Sequence, residues 1–457
     1  MKRRKSLLIV SALTALTLLL SSCAGAGGGS SSEPEEKDPD VKTIVLSDDT
    51  AKIDGTEIPE YDYTWKADPS MEEPQLTGTE PGGEAVYIAH DIIYYPEIEA
   101  DQFAKEQYDG ETEWVTHYTA EGLEDYLFST LPVLGEDLPT EMMHDADEAY
   151  ENQVLHITEA GTYCLEGSWS GQIWVDLKGD EDCFTDEEAK IKLILNGVDV
   201  TCTVAPAVVF YDAYECDNTW EEREEAVSEI DISDAGAQVV LADGTENNVT
   251  GANVYRMLKP TYKKEGSTVQ KKLWKMDGAF YSFVSLRVDG EEKGTGILNI
   301  TSTTFEGLDS ELHLCVDGGY INIVSQDDGI NVNEDGVSVL TVNGGHLVIF
   351  AGQGAEGDVI DSNGYIDING GFVAGTSPSV SDNMLDSDCG TDVSDDAVIV
   401  SSTGGAMEGT PPDGRGGPGE TEPPNGMEPP EGFEPGQIPE RNGAEGEAPP
   451  EPRELPQ

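Results

Sequence analysis

The chain has 457 residues, long enough for one large elongated domain or two smaller ones. Its 91 Asp and Glu face only 25 Lys and Arg, a formal net charge of −66. A surface this acidic argues against a nucleic-acid partner and suits life outside the cytoplasm.

Lys2, Arg3, Arg4 and Lys5 precede an apolar run, Leu7 to Leu20, that is too short for an ordinary membrane span. The next residues, Leu20-Ser21-Ser22-Cys23, resemble the lipobox of bacterial lipoproteins. That resemblance implies cleavage before Cys23, lipidation of its thiol and display on the outer face of the bacterial cell membrane, exposed to the extracellular space. Residues 1–23 are then the signal peptide, and the Gly, Ser and Glu-rich residues 24–40 a flexible tether reaching roughly 25 Å.

From 41 to 150 the pattern is mixed. Thr43 to Leu46 and Ala85 to Ile88 read as strands, and the remainder is acidic and loop-like. This segment is expected to cap the end of a repetitive domain, because an uncovered sheet end invites edge pairing. His90, His117 and His144 are far apart and share no ligand spacing, so core or surface roles suit them better than a metal.

Strand patterns begin in earnest at Gly161 to Leu165, Gln172 to Leu177, Lys190 to Leu195 and Ala207 to Phe210. Cys164, Cys183, Cys202, Cys216, Cys315 and Cys389 show no C-x-x-C spacing. A Cys164–Cys202 disulfide and buried thiols are equally compatible with an exported chain. Glu221 to Glu225 reads as a solvated excursion. Arg256 to Lys275 concentrates seven of the 25 basic residues, as in a solvated hairpin or a contact for an anionic polymer.

The most regular stretch follows. Gly-Gly recurs at 318–319, 344–345 and 370–371, two intervals of 26 residues. Apolar residues alternate on both sides: Leu314 and Val316, then Ile321 and Ile323; Leu340 and Val342, then Leu347 and Ile349. A period of two marks strands with one face buried, and a fixed repeat of this length marks a solenoid. A third short apolar site, at Leu308, Ile330, Ile360 and Leu385, completes a rung of two longer strands and one short one. The expected fold is all-β, a parallel β-helix spanning 151–400, with strands stacked about 4.8 Å apart.

Stacking turns the repeat into columns. Asp317, Asn343 and Asn369 form an amide stack beside the Gly pairs. Tyr320, His346 and Phe372 place one ring above the next, either a surface suited to the apolar faces of sugar rings or an aromatic ladder partly covered by a loop. The corners EGLDS, DGINV, DVIDS and NMLDS align Glu306, Asp328, Asp358 and Asn383 in one column. They align Asp309, Asn331, Asp361 and Asp386 in the next. Carboxylates stacked at strand spacing repel unless a cation sits among them, and calcium accepts six to eight oxygens in flexible geometry. The expected metal ligands are Asp328, Asp358, Asp361, Asp386, Asp309 and Asn331; the competing reading is a solvated acidic edge, since Asp and Asn are ordinary turn residues. Trp169 and Trp174, outside that column, are further candidate sugar contacts.

No Lys or Arg occurs from Gly294 to Val400. The base that β-helical pectate lyases use is therefore missing from these rungs, and the G-H-G and R-I-K segments of polygalacturonases are absent. No nucleophile-elbow, zinc-peptidase, P-loop or dinucleotide motif is present. From Ser401 the chain is rich in Pro, Gly and Glu without apolar periodicity, and residues 401–457 are expected to be disordered.

Asp317 to Gly345, with Gly294 to Ile300, Ala160 to Gly167 and Leu193 to Phe210, resembles the clostridial carbohydrate-binding-domain lipoproteins. The resemblance implies a right-handed coil with calcium sites that binds cellulose-like and polygalacturonate-like glycans without lytic activity. Its calcium ligands carry over at Asp328, Asp358 and Asp361, whereas Glu306 departs from the pattern. The expectation is a monomeric, non-catalytic surface lipoprotein binding acidic polysaccharide through calcium. One alternative is a polysaccharide lyase or glycoside hydrolase using Asp327, Asp328 and Asp358. The other is a structural adhesin or spacer.

Overall fold

The structure, a computed structural model, describes residues 40–402 apart from 62, 67–74, 79–80, 95–102, 109–110, 117–128, 131–142, 178–182, 218–226, 264–269, 354–356 and 380–381. The leader with Cys23, the tether, residues 403–457 of the tail, His117 and the Glu221 to Glu225 run lie outside the described residues.

The described strands are arranged mainly as parallel ladders on three faces. The first face runs from Val41–Asp48 through residues 161–165, Ile191–Thr201 and Ala237–Leu241 to Leu286–Gly290. It continues through Leu314–Val316, Val339–Val342, Tyr365–Ile368 and Gly390–Val393. The second face stacks residues 199–201, Glu246–Gly251, Ile297–Ser302, Tyr320–Val324, His346–Phe350, Phe372–Thr376 and Val398–Ser401. The third stacks Gln153–Ile157, residues 171–176, Val208–Asp212, Gly278–Ser282, Glu306–Ser310, Ile330–Val332, Ile360–Ser362 and Asp386–Ser387. Each turn of chain visits the three faces in order, so the protein is a parallel β-helix-like coil.

Alternation explains the interior. Ile321, Leu347 and Val373 stack in register and are buried, as are Leu308, Ile330 and Ile360. Each such side chain stabilises by roughly 1.5–3 kcal/mol, and no rung can bury its own without a neighbour. Asn247, fully buried, ties three rungs together. Its Oδ1 accepts from the Gly197 and Val198 N–H groups, and its Nδ2 donates to the Ile297 carbonyl at 2.9 Å.

The corner between first and second faces needs glycine. Gly345 has φ of 81°, and a Cβ there would lie 2.8 Å from the Gly319 carbonyl oxygen of the rung below. Beside it, the amide stack forms as the sequence implies: Asn369 Nδ2 donates to Asn343 Oδ1 at 3.1 Å, and Asn343 Nδ2 to Asp317 Oδ1 at 2.8 Å. Arg287 Nε closes the bottom of the stack on Asp317 Oδ2.

The segment before 151 supplies more than a cover. Val41–Asp48 is the first parallel strand of the coil, paired with residues 162–169, and it folds back on Thr50–Ile53 in an antiparallel hairpin. Val86–Ala89 pairs antiparallel with Gln153–Ile157. A short helix, Ala146–Glu151, leads into the third face, with Asp145 accepting from the Glu148 N–H at its start. The basic stretch lies on an antiparallel pair, Val254–Lys263 with Gln270–Met276. Cys164 and Cys202 are not joined in a disulfide, and burial pushes the Cys202 thiol up to about 12.

Candidate functional site

The acidic columns occupy the entrance to the third face. Gly307 donates its N–H to the Asp328 carbonyl, Gly329 to that of Asp358 and Val359 to that of Asn383. Glu306, Asp328, Asp358 and Asn383 therefore stand one above another. Three residues further along each strand, Asp309, Asn331, Asp361 and Asp386 are direct ladder partners.

Hydrogen bonds lock the column. The Asp358 N–H donates to Asp328 Oδ1 at 2.6 Å, and the Asn383 N–H to Asp358 Oδ1 at 2.5 Å. On the rungs above and below, an amide meets the carboxylate of its own rung: Asn331 Nδ2 to Asp328 Oδ2 at 3.4 Å, Asn383 Nδ2 to Asp386 Oδ2 at 3.3 Å. The middle rung has Asp at both positions. Carboxylate oxygens of Asp358, Asp361 and Asp386 all lie within 4.8 Å of one another. Two unit charges at that separation repel by roughly 3 kcal/mol at an effective dielectric of about 20.

Protonation reflects this crowding. Burial, with the neighbouring charge of Asp386, pushes Asp361 up to about 7. Burial likewise raises Asp358 to about 6, opposed by the Asn383 N–H and reinforced by Asp386. Asp328 is pushed well above the usual carboxylate range, first by burial and then by Asp361 and Asp327. Arg287, which precedes these rungs, is committed at the opposite corner to Asp317 and Asp289.

The donor set suits a hard cation. It consists of oxygens alone, as calcium requires. Asn331 Oδ1, on a side chain 6% exposed, has no hydrogen-bond partner and lies one strand below Asp361. Asp328, Asp358, Asp361 and Asp386 would hold the ion, with Asn331 Oδ1 as a neutral addition. Asp309 keeps its place in the ladder but stands two strands, about 9.6 Å, below Asp361. It is fully buried and accepts from Asn333 Nδ2 at 2.7 Å.

The aromatic column also forms. Tyr320 and His346 stack with centroids 4.6 Å apart at 12°, and His346 and Phe372 lie 5.8 Å apart at 37°. All three are half-buried and open the second face. Burial lowers the His346 imidazole below its usual value, which keeps the ring neutral and suited to stacking. The column opens the second face, whereas the acidic corner lies past the end of that face at the entrance to the third.

Trp169 and Trp174 correct the sequence reading. Trp169 is 1% exposed, its indole N–H donating to the Gln172 carbonyl inside the coil, so it offers no face to a ligand. Trp174 is 7% exposed and lies beneath Tyr211, centroids 4.9 Å apart at 28°. Tyr211, 38% exposed, is the ring that reaches solvent. Val175 pairs with Phe210 but Asp176 with Asp212, so Tyr211 sits at an irregularity in the ladder. Alternation sets Tyr211 on the same outward face as Val209 and Trp174, but which of the stacked rings covers the other depends on two strands and is written in neither alone.

Fold and site together define a three-faced parallel β coil with an oxygen-lined acidic corner and a column of half-buried stacked rings. A family model of carbohydrate-binding domain-containing proteins matches residues 151–227 and 221–434, well over half of the chain, and the chain belongs to that family. A solved structure, the polysaccharide lyase-like protein from C. thermocellum as a gadolinium derivative, is similar at 24% identity. The likeness covers 57% of this chain and 86% of that one, with a TM-score of 0.40. No curated protein matches the sequence.

Proposed function

We propose that this chain is a non-catalytic, calcium-dependent binder of acidic, polygalacturonate-like polysaccharide. The observation that carries the reading is the meeting of Asp358, Asp361 and Asp386 within 4.8 Å, with Asp328 locked to Asp358 beside them. A protein of net charge −66 repels a polyuronate. A bound calcium, shared between protein and sugar carboxylates, supplies the local positive charge that reverses this. Asp328, Asp358, Asp361 and Asp386 hold the cation, and the Tyr320, His346 and Phe372 rings stack on sugar faces further along the chain of the glycan. The absence of Lys and Arg from Gly294 to Val400 supports binding rather than elimination chemistry. The coil is right-handed in this reading. Lipid on Cys23 tethers a monomer to the outer face of the cell membrane.

Retention on immobilised polygalacturonate tests the reading. Wild-type protein is retained with calcium and released by chelator; equal retention in both rejects calcium bridging. Fatty-acid labelling that survives Cys23→Ala would remove the anchor.

A further inference from the structure

Besides the acidic corner, the third face carries a second assembly of side chains. The ladder sets Trp174, Val209, Tyr281, Asp309, Asn331 and Asp361 on successive strands. One column therefore begins aromatic and ends acidic. At its aromatic end, Tyr211 lies flat on Trp174, and Phe283 meets Tyr211 edge-on, centroids 5.3 Å apart at 84°. Phe283 in turn meets Tyr281 at 5.0 Å and 82°. Tyr281 is fully buried, its hydroxyl bonded to Glu311.

Three features separate this group from ordinary packing. Tyr211 is one of three exposed large apolar side chains among the described residues, with Val45 and Tyr150. It stands two residues after Val209, the ladder partner of Trp174, so it shares the outward face of that column and its ring comes to lie over the indole. Its ring is held from below and from the side, so stacking a ligand on it costs little further ordering.

We propose that Tyr211, seated on Trp174 and braced by Phe283, is the stacking platform for an uncharged pyranose ring of a glycan lying along the third face. This rests on the carbohydrate-binding reading and adds a subsite that works without a cation. The ligand class follows from the neighbours. Asp176 and Asp212, ladder partners beside the irregularity, sit near enough for their charge to raise the Tyr211 phenol, after the larger effect of burial. Carboxylates accept hydrogen bonds from sugar hydroxyls and repel a uronate. From the Tyr211 strand to that of Asp361 is four strand spacings, about 19 Å. One face thus offers a neutral-sugar subsite at one end and the acidic corner at the other.

The test is titration calorimetry of the full chain with cellohexaose, a neutral glucan, in chelator. Wild type is expected to bind, and Tyr211→Ala to weaken binding about tenfold, while Tyr211→Phe stays within about threefold. Tyr211→Leu keeps apolar bulk without a ring and should behave as Tyr211→Ala, which guards against a folding defect in the smaller variant. Asp361→Asn should leave cellohexaose binding intact and abolish calcium-dependent retention on polygalacturonate. Wild type that fails to bind cellohexaose, or Tyr211→Leu that binds as wild type does, overturns the platform. Polygalacturonate retention with calcium in that same failing protein would leave the acidic-corner reading standing, whereas loss of both ligands sinks both.

Discussion

Asp328 and Asp358 are thirty residues apart in the chain, yet the Asp358 N–H donates to Asp328 Oδ1 at 2.6 Å. One carboxylate thus organises the backbone of the next rung, and Asp358 repeats the contact by accepting from the Asn383 N–H one rung further on. The crowding of carboxylates at this corner is what the proposed cation would relieve.

Calcium at 100 times its dissociation constant should stabilise the fold by roughly 2.7 kcal/mol if it binds one site in the native state alone. Scanning calorimetry with calcium and with chelator reads this directly. Asp361→Asn is expected to lose the calcium increment while melting no lower than wild type in chelator, because it removes one of the crowded charges. A melting temperature indifferent to calcium in the wild type would leave the corner as a solvated acidic edge.

The pH dependence has a definite sign. Folded-state values of about 6 for Asp358 and about 7 for Asp361 lie above the ordinary 3.8. Such groups bind more protons folded than unfolded, so their contribution to stability is present at low pH and is lost as pH rises through the folded values. In chelator, this corner should lower the melting temperature progressively between about pH 4 and pH 7. Calcium should flatten that slope by favouring the ionised carboxylates, and Asp361→Asn should flatten it without calcium. Identical slopes in wild type and variant would contradict the account.

Gly345→Ala tests the corner between first and second faces. The left-handed backbone and the 2.8 Å approach to the Gly319 carbonyl both oppose a methyl group there. A loss of about 2–3 kcal/mol is expected by denaturant titration. A change below about 0.5 kcal/mol would mean that the rungs can separate locally at little cost.

His346→Ala removes the middle ring of the Tyr320, His346, Phe372 column without touching the acidic corner. Retention on polysaccharide in calcium should fall at least about threefold, while the calcium-dependent melting increment stays unchanged. Unaltered retention would confine the column to a structural role.

Much of the coil could be read from the chain because its repeat is written in side-chain chemistry. The Gly pairs mark corners, the alternation marks faces, and the aligned corner residues fall into ladder register at Asp309, Asn331, Asp361 and Asp386. The Asp317, Asn343, Asn369 stack is equally direct, since residues one repeat apart must lie one strand apart. Where no repeat operates, the reading stopped short. Val41–Asp48 joins the first face although its ladder partner begins at Thr162, and no local pattern specifies a partner so distant.

The sequence by itself determined which residues stack, because a fixed period converts spacing along the chain into vertical order. Only the tertiary structure decided which stacked side chains see solvent and which meet across rungs. Tyr211, on the neighbouring strand, came to lie over Trp174 and bury it. The packing of the third face brought Asp358, Asp361 and Asp386 close enough to share a cation. Exposure and sub-5 Å convergence depend on backbone register and on neighbours from other turns of the coil, and neither is a property of any one strand.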